Sequence, residues 1–467
     1  MSARAGDGAL EGFDARAEEE RLLARVAELC ENARRDGADE AEAYGERVET
    51  IAVHFEKNDL KLGQVDEGTS VGLRVFREGK QGFSSTNQCD AEALRGTARD
   101  ALTVAGFSVP DPHNRLLEPR PLDAPPCRVD PALAAMSVPE AVQHGREFLR
   151  RALARDPRIS IDKASFSVHR DTRAVCSSTG ARAVESDASA MAVLFGMAVD
   201  GEDVGGFDYW GDGVRDPARL DAMLEESIEH FARSVLGNLG ARSAETYRGP
   251  VLFAPPAFVD VFVDPLISAA SAIAVQRDRS ALRGKLGKAI AAAAISIADD
   301  PRDAELRGAT GFDREGQPAR RLTIVERGVL EHFLYNGYAA RVDGCDSTGH
   351  ASGGARAVPG LGPHAVVVAP GSDGDRDALV KALGRGLFIQ RFSGTVDPAS
   401  GDFSGVAKSA RWVENGEVVR SLKETLISGN AFELLHRVVA LSSESPRVMG
   451  SVRAPFAIVD GISVTAG

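Results

Sequence analysis

At 467 residues and 49.4 kDa, the chain is long enough for two or three domains with separate cores. Hydrophobic residues at 43% and charged residues at 26% are those of a soluble globular protein, and no run of about 18 apolar residues offers a membrane-spanning helix. A net charge of −13 opposes nucleic acid or a membrane surface as a partner through any general field.

The stretch Met1–Glu20 is polar and acidic, without the basic and apolar regions of a secretory leader. Five cysteines (Cys30, Cys89, Cys127, Cys176, Cys345) are scattered, odd in number and form no CxxC pair. Reduced thiols and a cytoplasmic location are therefore expected.

Residues 1–16 read as a disordered lead-in. From Ala17 to Arg35, Leu22, Val26, Leu29, Cys30 and Ala33 recur at helical spacing, and Gly37 is placed to end the helix. Strand alternation follows through Ile51, Val53 and Phe55 and again through Val71, Leu73 and Val75, with a turn at Glu78-Gly79. Asp90 to Ala105 returns to helical spacing. Between 107 and 139 lie eight of the chain's 22 prolines, which predicts a linker or extended crossing segment. Ser137-Val138-Pro139-Glu140 then opens a helix as a capping box. Ile159–His169 and Arg173–Val199 read as long strands joined at Asp171-Thr172, and Asp216-Pro217 starts an amphipathic helix.

After Gly249 short strands dominate, with turns at Glu315-Gly316, Arg327-Gly328 and Asn415-Gly416 and one helical stretch from Ala257 to Val275. The expected fold class is α+β: an N-terminal α/β domain with a strand meander over 17–245, and a β-rich, barrel- or sandwich-like domain over 246–467.

Catalytic motifs are scarce. Cys345 and His350 sit five apart, with His332, Asp343 and Asp346 near in sequence, but structural zinc recruits four ligands at tighter spacing, so the pair reads as incidental. His54, His169 and His230 have no partner at ligand spacing. Gly360-Leu361-Gly362-Pro363-His364-Ala365 mimics a dinucleotide fingerprint yet leads into a strand rather than a helix, so it reads as a structural turn. No phosphate loop and no G-x-S-x-G elbow is present. The glycine-rich run Ser347–Gly360 is the best loop candidate, and an exposed sheet edge could take up an extended peptide as an added strand.

In order along the chain, Gly68-Thr69-Ser70-Val71-Gly72-Leu73-Arg74-Val75 with Gly82-Phe83-Ser84-Ser85-Thr86-Asn87, Ser280-Ala281-Leu282-Arg283-Gly284-Lys285-Leu286-Gly287, Tyr338-Ala339-Ala340-Arg341 with Ser347-Thr348-Gly349, and Gly401-Asp402-Phe403-Ser404 with Glu414-Asn415-Gly416 resemble the TldD/TldE (PmbA) proteins. That resemblance implies a heterodimeric zinc peptidase acting on unfolded peptides, including antibacterial peptide precursors. The TldD-type chain would carry His-Glu-x-x-x-His and a later cysteine. Two histidines and a glutamate on one helix can hold a metal and activate its water.

Here the pattern fails. Aligned on Ser280 and Gly284, Val263, Asp264 and Ser268 stand where His, Glu and His would be, and Ala407 stands at the cysteine position. No histidine lies between His230 and His332, so no shift of register restores the set. The resemblance is therefore to the TldE type. It implies no catalytic or metal residue in this chain, zinc in a TldD-like partner subunit, and unfolded peptide as substrate. Ser347, Thr348, Gly349, His350, Gly353 and Gly354, with Asp402, Phe403 and Ser404, are expected to border a peptide cavity or that partner. The alternative is a stand-alone, non-enzymatic peptide-binding scaffold that forms homodimers.

Overall fold

Apolar side chains three and four residues apart wind the first helix, α1 (Ala15–Arg35), with Asp14 capping the Ala17 N–H and Gly37 leaving at φ +104°. A computed structural model describes residues 13–125, 129–423 and 425–466. Of the expected lead-in, residues 1–12 lie outside this range; Phe13 is buried and α1 begins two residues ahead of Ala17.

Strands β1 (Glu40–Glu56), β2 (Asp59–Arg77) and β3 (Lys80–Thr86) form the meander. Its turns, Lys57-Asn58 and Glu78-Gly79, all have positive φ, the twist that two-residue hairpins require. Helices α2 (Ala91–Phe107), α3 (Pro131–Ala135) and α4 (Val138–Ala154) follow, capped by Asp90, Asp130 and the Ser137/Glu140 box. Strands β4 (Ile159–Ser177), β5 (Arg182–Asp200), β6 (Asp203–Val204) and β7 (Asp208–Val214) complete a seven-stranded antiparallel sheet, and α5 (Leu220–Leu236) closes this half.

The turn expected at Asp171-Thr172 is corrected. Both residues lie inside β4, where Thr172 hydrogen-bonds Ser186 across the sheet at 3.0 Å; the hairpin turns at 178–181, with Gly180 at φ +104°. Thr172 and Ser186 sit between two apolar clusters on the same sheet face. One joins α1 and α2 to Ala41, Ala43, Val71, Leu73 and Val75. The other joins α4 and α5 to Ile51, Val53, Phe55 and Phe166. Odd-numbered β1 residues thus face the helices, as period-two alternation demands.

The second half begins with β8 (Tyr247–Phe253), α6 (Pro255–Phe258), a π-helical turn (Val259–Val263), α7 (Asp264–Ala269) and α8 (Ala272–Gln276). The helix expected from Ala257 to Val275 is therefore broken into pieces. Pro265 has no N–H and its ring would clash with the Val261 carbonyl, so the ladder widens and the Asp264 N–H reaches Val259 instead. Next come β9 (Ile297–Asp299), β10 (Leu322–Glu326), β11 (Val329–Leu330), α9 (Gly337–Asp343), β12 (Ala351–Ser352), β13 (Gly360–Leu361), β14 (Val366–Val368) and α10 (Arg376–Leu383). The remainder is β15 (Gly386–Ile389), β16 (Arg391–Val396), β17 (Asp402–Lys408), β18 (Arg411–Glu414), β19 (Glu417–Ser421), β20 (Thr425–Asn430), α11 (Ala431–Leu434), β21 (Val438–Leu441), β22 (Arg447–Val448), β23 (Val452–Arg453) and β24 (Ala457–Ala466).

These strands build a nine-stranded sheet in the order β16-β17-β20-β24-β8-β15-β18-β19, with β21 on β24, and a six-stranded sheet in the order β11-β10-β9-β14-β23-β22. The α6–α7 segment is packed against them. Phe253, Phe258 and Phe262 are fully buried, each contributing roughly 2–3 kcal/mol of apolar burial. The α+β class holds for both halves.

The halves meet across the sheet face opposite the N-terminal helices. Tyr44 and Ala183 there touch Phe312 and Ala355. Arg74 of β2 contacts Glu42 at 2.9 Å and Glu315 at 2.8 Å, and Arg314 contacts Glu42 at 3.3 Å while lying 4.0 Å over the Tyr44 ring. A Cβ on Gly72 would fall 1.9 Å from the Ala355 carbonyl, so only glycine lets the two backbones approach. The proline-rich crossing runs along this seam: the Glu118 carbonyl accepts from Gln317 at 3.0 Å and that of Leu116 from Arg341.

Candidate functional site

Asp260, Asp264 and Ser268 recur every four residues and line the solvent side of the α6–α7 segment. With Phe392, Ser393, Gly394 and Val396 of β16 they form an open groove of about 480 Å³. The two carboxylates keep solvent access, but the walls crowd out bulk water. That crowding, reinforced by the charge of Asp264, pushes Asp260 up to about 6, against the pull of Arg391 and the Phe392 N–H. Crowding alone raises Asp264.

Of the four positions singled out by alignment, Asp264 and Ser268 face this groove. Val263 and Ala407 instead point into the apolar core, at 1% and 4% exposure. The groove does not fit zinc: its polar walls offer carboxylate and hydroxyl oxygens, without the imidazole or thiolate donors that zinc sites recruit. Beneath it Phe403 meets Phe262 edge-on at 6.1 Å between ring centres. Asp402 and Ser404 flank Phe403 on the exposed face of β17, and Asp402 accepts from the Asn430 side chain at 2.9 Å.

The 347–354 loop is held by different neighbours. Ser347 and Thr348 hydrogen-bond Tyr335, and a Cβ on Gly349 (φ +73°) would lie 2.5 Å from the Pro318 carbonyl. Gly354 approaches the Glu46 carboxylate of β1, while Gly353 is exposed. His350 is fully buried. It does not join Cys345, which is exposed; Asp343 is bound to the Tyr335 hydroxyl, Asp346 to Arg120, and His332 to the Thr323 carbonyl.

His350 meets Asp299 and His364 instead. One ligand atom from each lies within 4.8 Å of the others, the one such three-residue group among the described residues. The donor set suits a metal, and most of its polar atoms are also hydrogen-bonded within the protein. His350 Nε2 meets Asp299 Oδ2 at 3.1 Å and Nδ1 meets Thr348 at 2.9 Å; His364 Nε2 donates to the Gly349 carbonyl at 2.7 Å. Asp299 Oδ1 accepts the His364 and Ala365 N–H groups. Burial opposes ionisation of Asp299, and His350 and its other hydrogen bonds overcome it and hold the carboxyl low. Burial holds His364 below its ordinary value. Such a cluster fastens β9 to the loop and to the start of β14. Asp299 and His364 were not legible in the sequence, since no spacing relates 299, 350 and 364.

A second cleft, also unforeseen, opens between β7 and α5 on one side and α10, β15 and β19 on the other. His169, by contrast, is satisfied by Thr50 and Ser167 at 3.2 and 3.0 Å.

Known proteins resemble the chain over most of its length. The PmbA/TldA metallopeptidase C-terminal domain is matched over residues 246–466 and its domain 1 over residues 41–105. The chain is 27% identical to the Haemophilus influenzae "Metalloprotease PmbA homolog", covering 92% of this chain and 93% of that protein. It is 26% identical to the "Metalloprotease PmbA" of Escherichia coli O157:H7, covering 87% and 88%. A "Metalloprotease TldD homolog" of Haemophilus influenzae is similar at 22% identity. The crystal structure of TldE from Thermococcus kodakarensis shares the fold, with a TM-score of 0.85 at 22% identity over 94% of this chain and 100% of that one.

Proposed function

Because the chain belongs to the PmbA/TldD metallopeptidase family, we propose that it is the catalytically silent, TldE-type subunit of a two-chain zinc peptidase. Its partner is a TldD-like chain that carries the zinc, and their substrate is unfolded peptide. The observation that carries this reading is the pair Val263 and Ala407: where a metal subunit needs ligands, this chain puts apolar side chains into its core. The oxygen-only groove beside them supports the same reading.

In this role the chain shapes the chamber and leaves water activation to its partner. The partner reading draws on the presence of TldD homologues in the same family. No helix of the described residues is long and apolar enough to cross a membrane, which accords with a cytoplasmic pair without showing one.

The test is purification of the chain alone and after co-expression with a TldD-like chain, with zinc measured by mass spectrometry and turnover of an unfolded peptide. The expected result is a one-to-one complex whose activity and zinc need the partner. Stoichiometric zinc with turnover by the isolated chain overturns the reading. A homodimer that binds peptide and ignores any TldD-like chain would instead favour a stand-alone scaffold.

A further inference from the structure

We infer that the cleft between the two halves is a binding site for a carboxylate carried on an apolar body. The cleft holds about 550 Å³, the size of a small-ligand site. A second cavity of about 280 Å³ shares Trp210, His230, Arg233 and Arg376 with it, so the two form one elongated trough.

Its apolar wall is built from Val380, Phe388 and Phe456, of which each is buried. Trp210 lies flat on His230, 4.1 Å between ring centres and 5° between planes. Arg391 lies 3.8 Å over the Tyr209 ring. These stacked side chains add flat apolar surface to the lining of the trough.

The lining carries five side-chain cations (Arg233, Arg376, Lys381, Arg391, Arg411) against three carboxylates (Asp208, Asp377, Glu417). Three cations are already matched: Arg391 by Asp208, Arg376 by Asp377 at 2.7 Å, Arg233 by Glu229 at 3.1 Å. Arg411 is not. Half-buried, it donates to the Asn238 side chain and to the Ala410 and Ser234 carbonyls, all neutral acceptors. Burial pulls it down to about 10 against the attraction of Asp208. Lys381, exposed on α10, has no ion pair among the described residues, and neither does Glu417 at the rim.

A half-buried cation whose partners are all neutral keeps an attraction for an arriving anion. Guanidinium and ammonium donors beside flat apolar walls match a planar carboxylate with a hydrocarbon body. Two sources carry that chemistry, the free C-terminus of a peptide and a small organic acid. The site is lined by this chain's own residues and needs no metal, so its binding test stands or falls apart from the peptidase reading.

Titration calorimetry on the full chain decides it, with three probes: an N-acetylated pentapeptide ending in phenylalanine, the same peptide amidated at its C-terminus, and 3-phenylpropionate. The expected result is that the free acid binds at least about tenfold more tightly than the amide. Lys381→Ala, at an exposed position that leaves the fold intact, should weaken the acid at least about threefold, and Arg411→Gln more. Equal affinity of 3-phenylpropionate and peptide supports the site with a small acid as its ligand; peptide far tighter supports a chain terminus. Equal binding of acid and amide, no binding by the unaltered chain, or no effect of either substitution overturns the proposal. So does competition by inorganic phosphate at the peptide's own concentration.

Discussion

The two halves meet at several places, and two of them, the seam and the cleft, contrast in their electrostatics. Along the seam, Arg74 is matched: burial alone would pull it down, but Glu42 and Glu315 outweigh it and hold the guanidinium above its ordinary value, while burial holds the neighbouring Arg314 below its own. In the cleft, Arg411 faces neutral acceptors and falls to about 10. A balanced set of buried charges locks a geometry in place; an unbalanced one leaves an attraction unused.

The sharpest way to break that contrast is Glu315→Gln. Arg74 loses one of its two carboxylates and the Gly337 N–H loses its charged acceptor, so unfolding free energy should fall by about 3 kcal/mol or more in denaturant titrations. A loss within about 0.5 kcal/mol would mean that the seam is not held by its charges. Gly72→Ala tests the same seam sterically. A Cβ 1.9 Å from a backbone oxygen forces the strands and loop apart, at about 2 kcal/mol by the same measurement.

On the cleft side the sign should reverse. Arg411→Met removes a cation that has no counter-ion, and stability should hold or rise, within about 1 kcal/mol. A loss as large as that of Glu315→Gln would erase the distinction. The smallest effect belongs to His230, which crowding by the cleft walls, then the charges of Arg233 and Arg376, depress to about 4. An unfolded histidine titrates near 6.5, so between about 4 and 6.5 the unfolded chain binds more protons and stability falls as pH drops. Solvent at the open edge of the ring screens part of this, so the slope should be shallow. It should flatten in His230→Phe, as read from urea midpoints at several pH values.

What was legible in the sequence was local. The helix that follows Asp90, the Ser137/Glu140 box and the Glu78-Gly79, Arg327-Gly328 and Asn415-Gly416 turns depend on neighbours within a few residues, and each stands where it was expected. Asp171-Thr172 misled because a residue of a turn-type dipeptide, here Thr172 with Ser186 across from it, can also fill a polar gap between two cores, which only the packed sheet reveals. Pro265 marks a break in the α6–α7 segment by a rule as local as the caps, which reading Ala257 to Val275 as one helix passed over. The Asp299–His350–His364 group and the cationic cleft join residues tens to hundreds of positions apart, and neither periodicity nor spacing encodes such meetings. The glycines at 349 and 354 marked unusual backbone, but not that Pro318 and Glu46 would stand against them.

Strand β24 occupies the middle of the nine-stranded sheet, hydrogen-bonded to β20 and β21 and to β8 some two hundred residues earlier. On a ribosome, β8 therefore waits with an unpaired edge through most of the synthesis of this half, and the sheet closes only when residues 457–466 emerge. Loop-closure entropy for so distant a pairing must be met before any of its contacts form. Assembly of the C-terminal half is thus a late, concerted step, and the nascent chain needs shielding of that open edge until then.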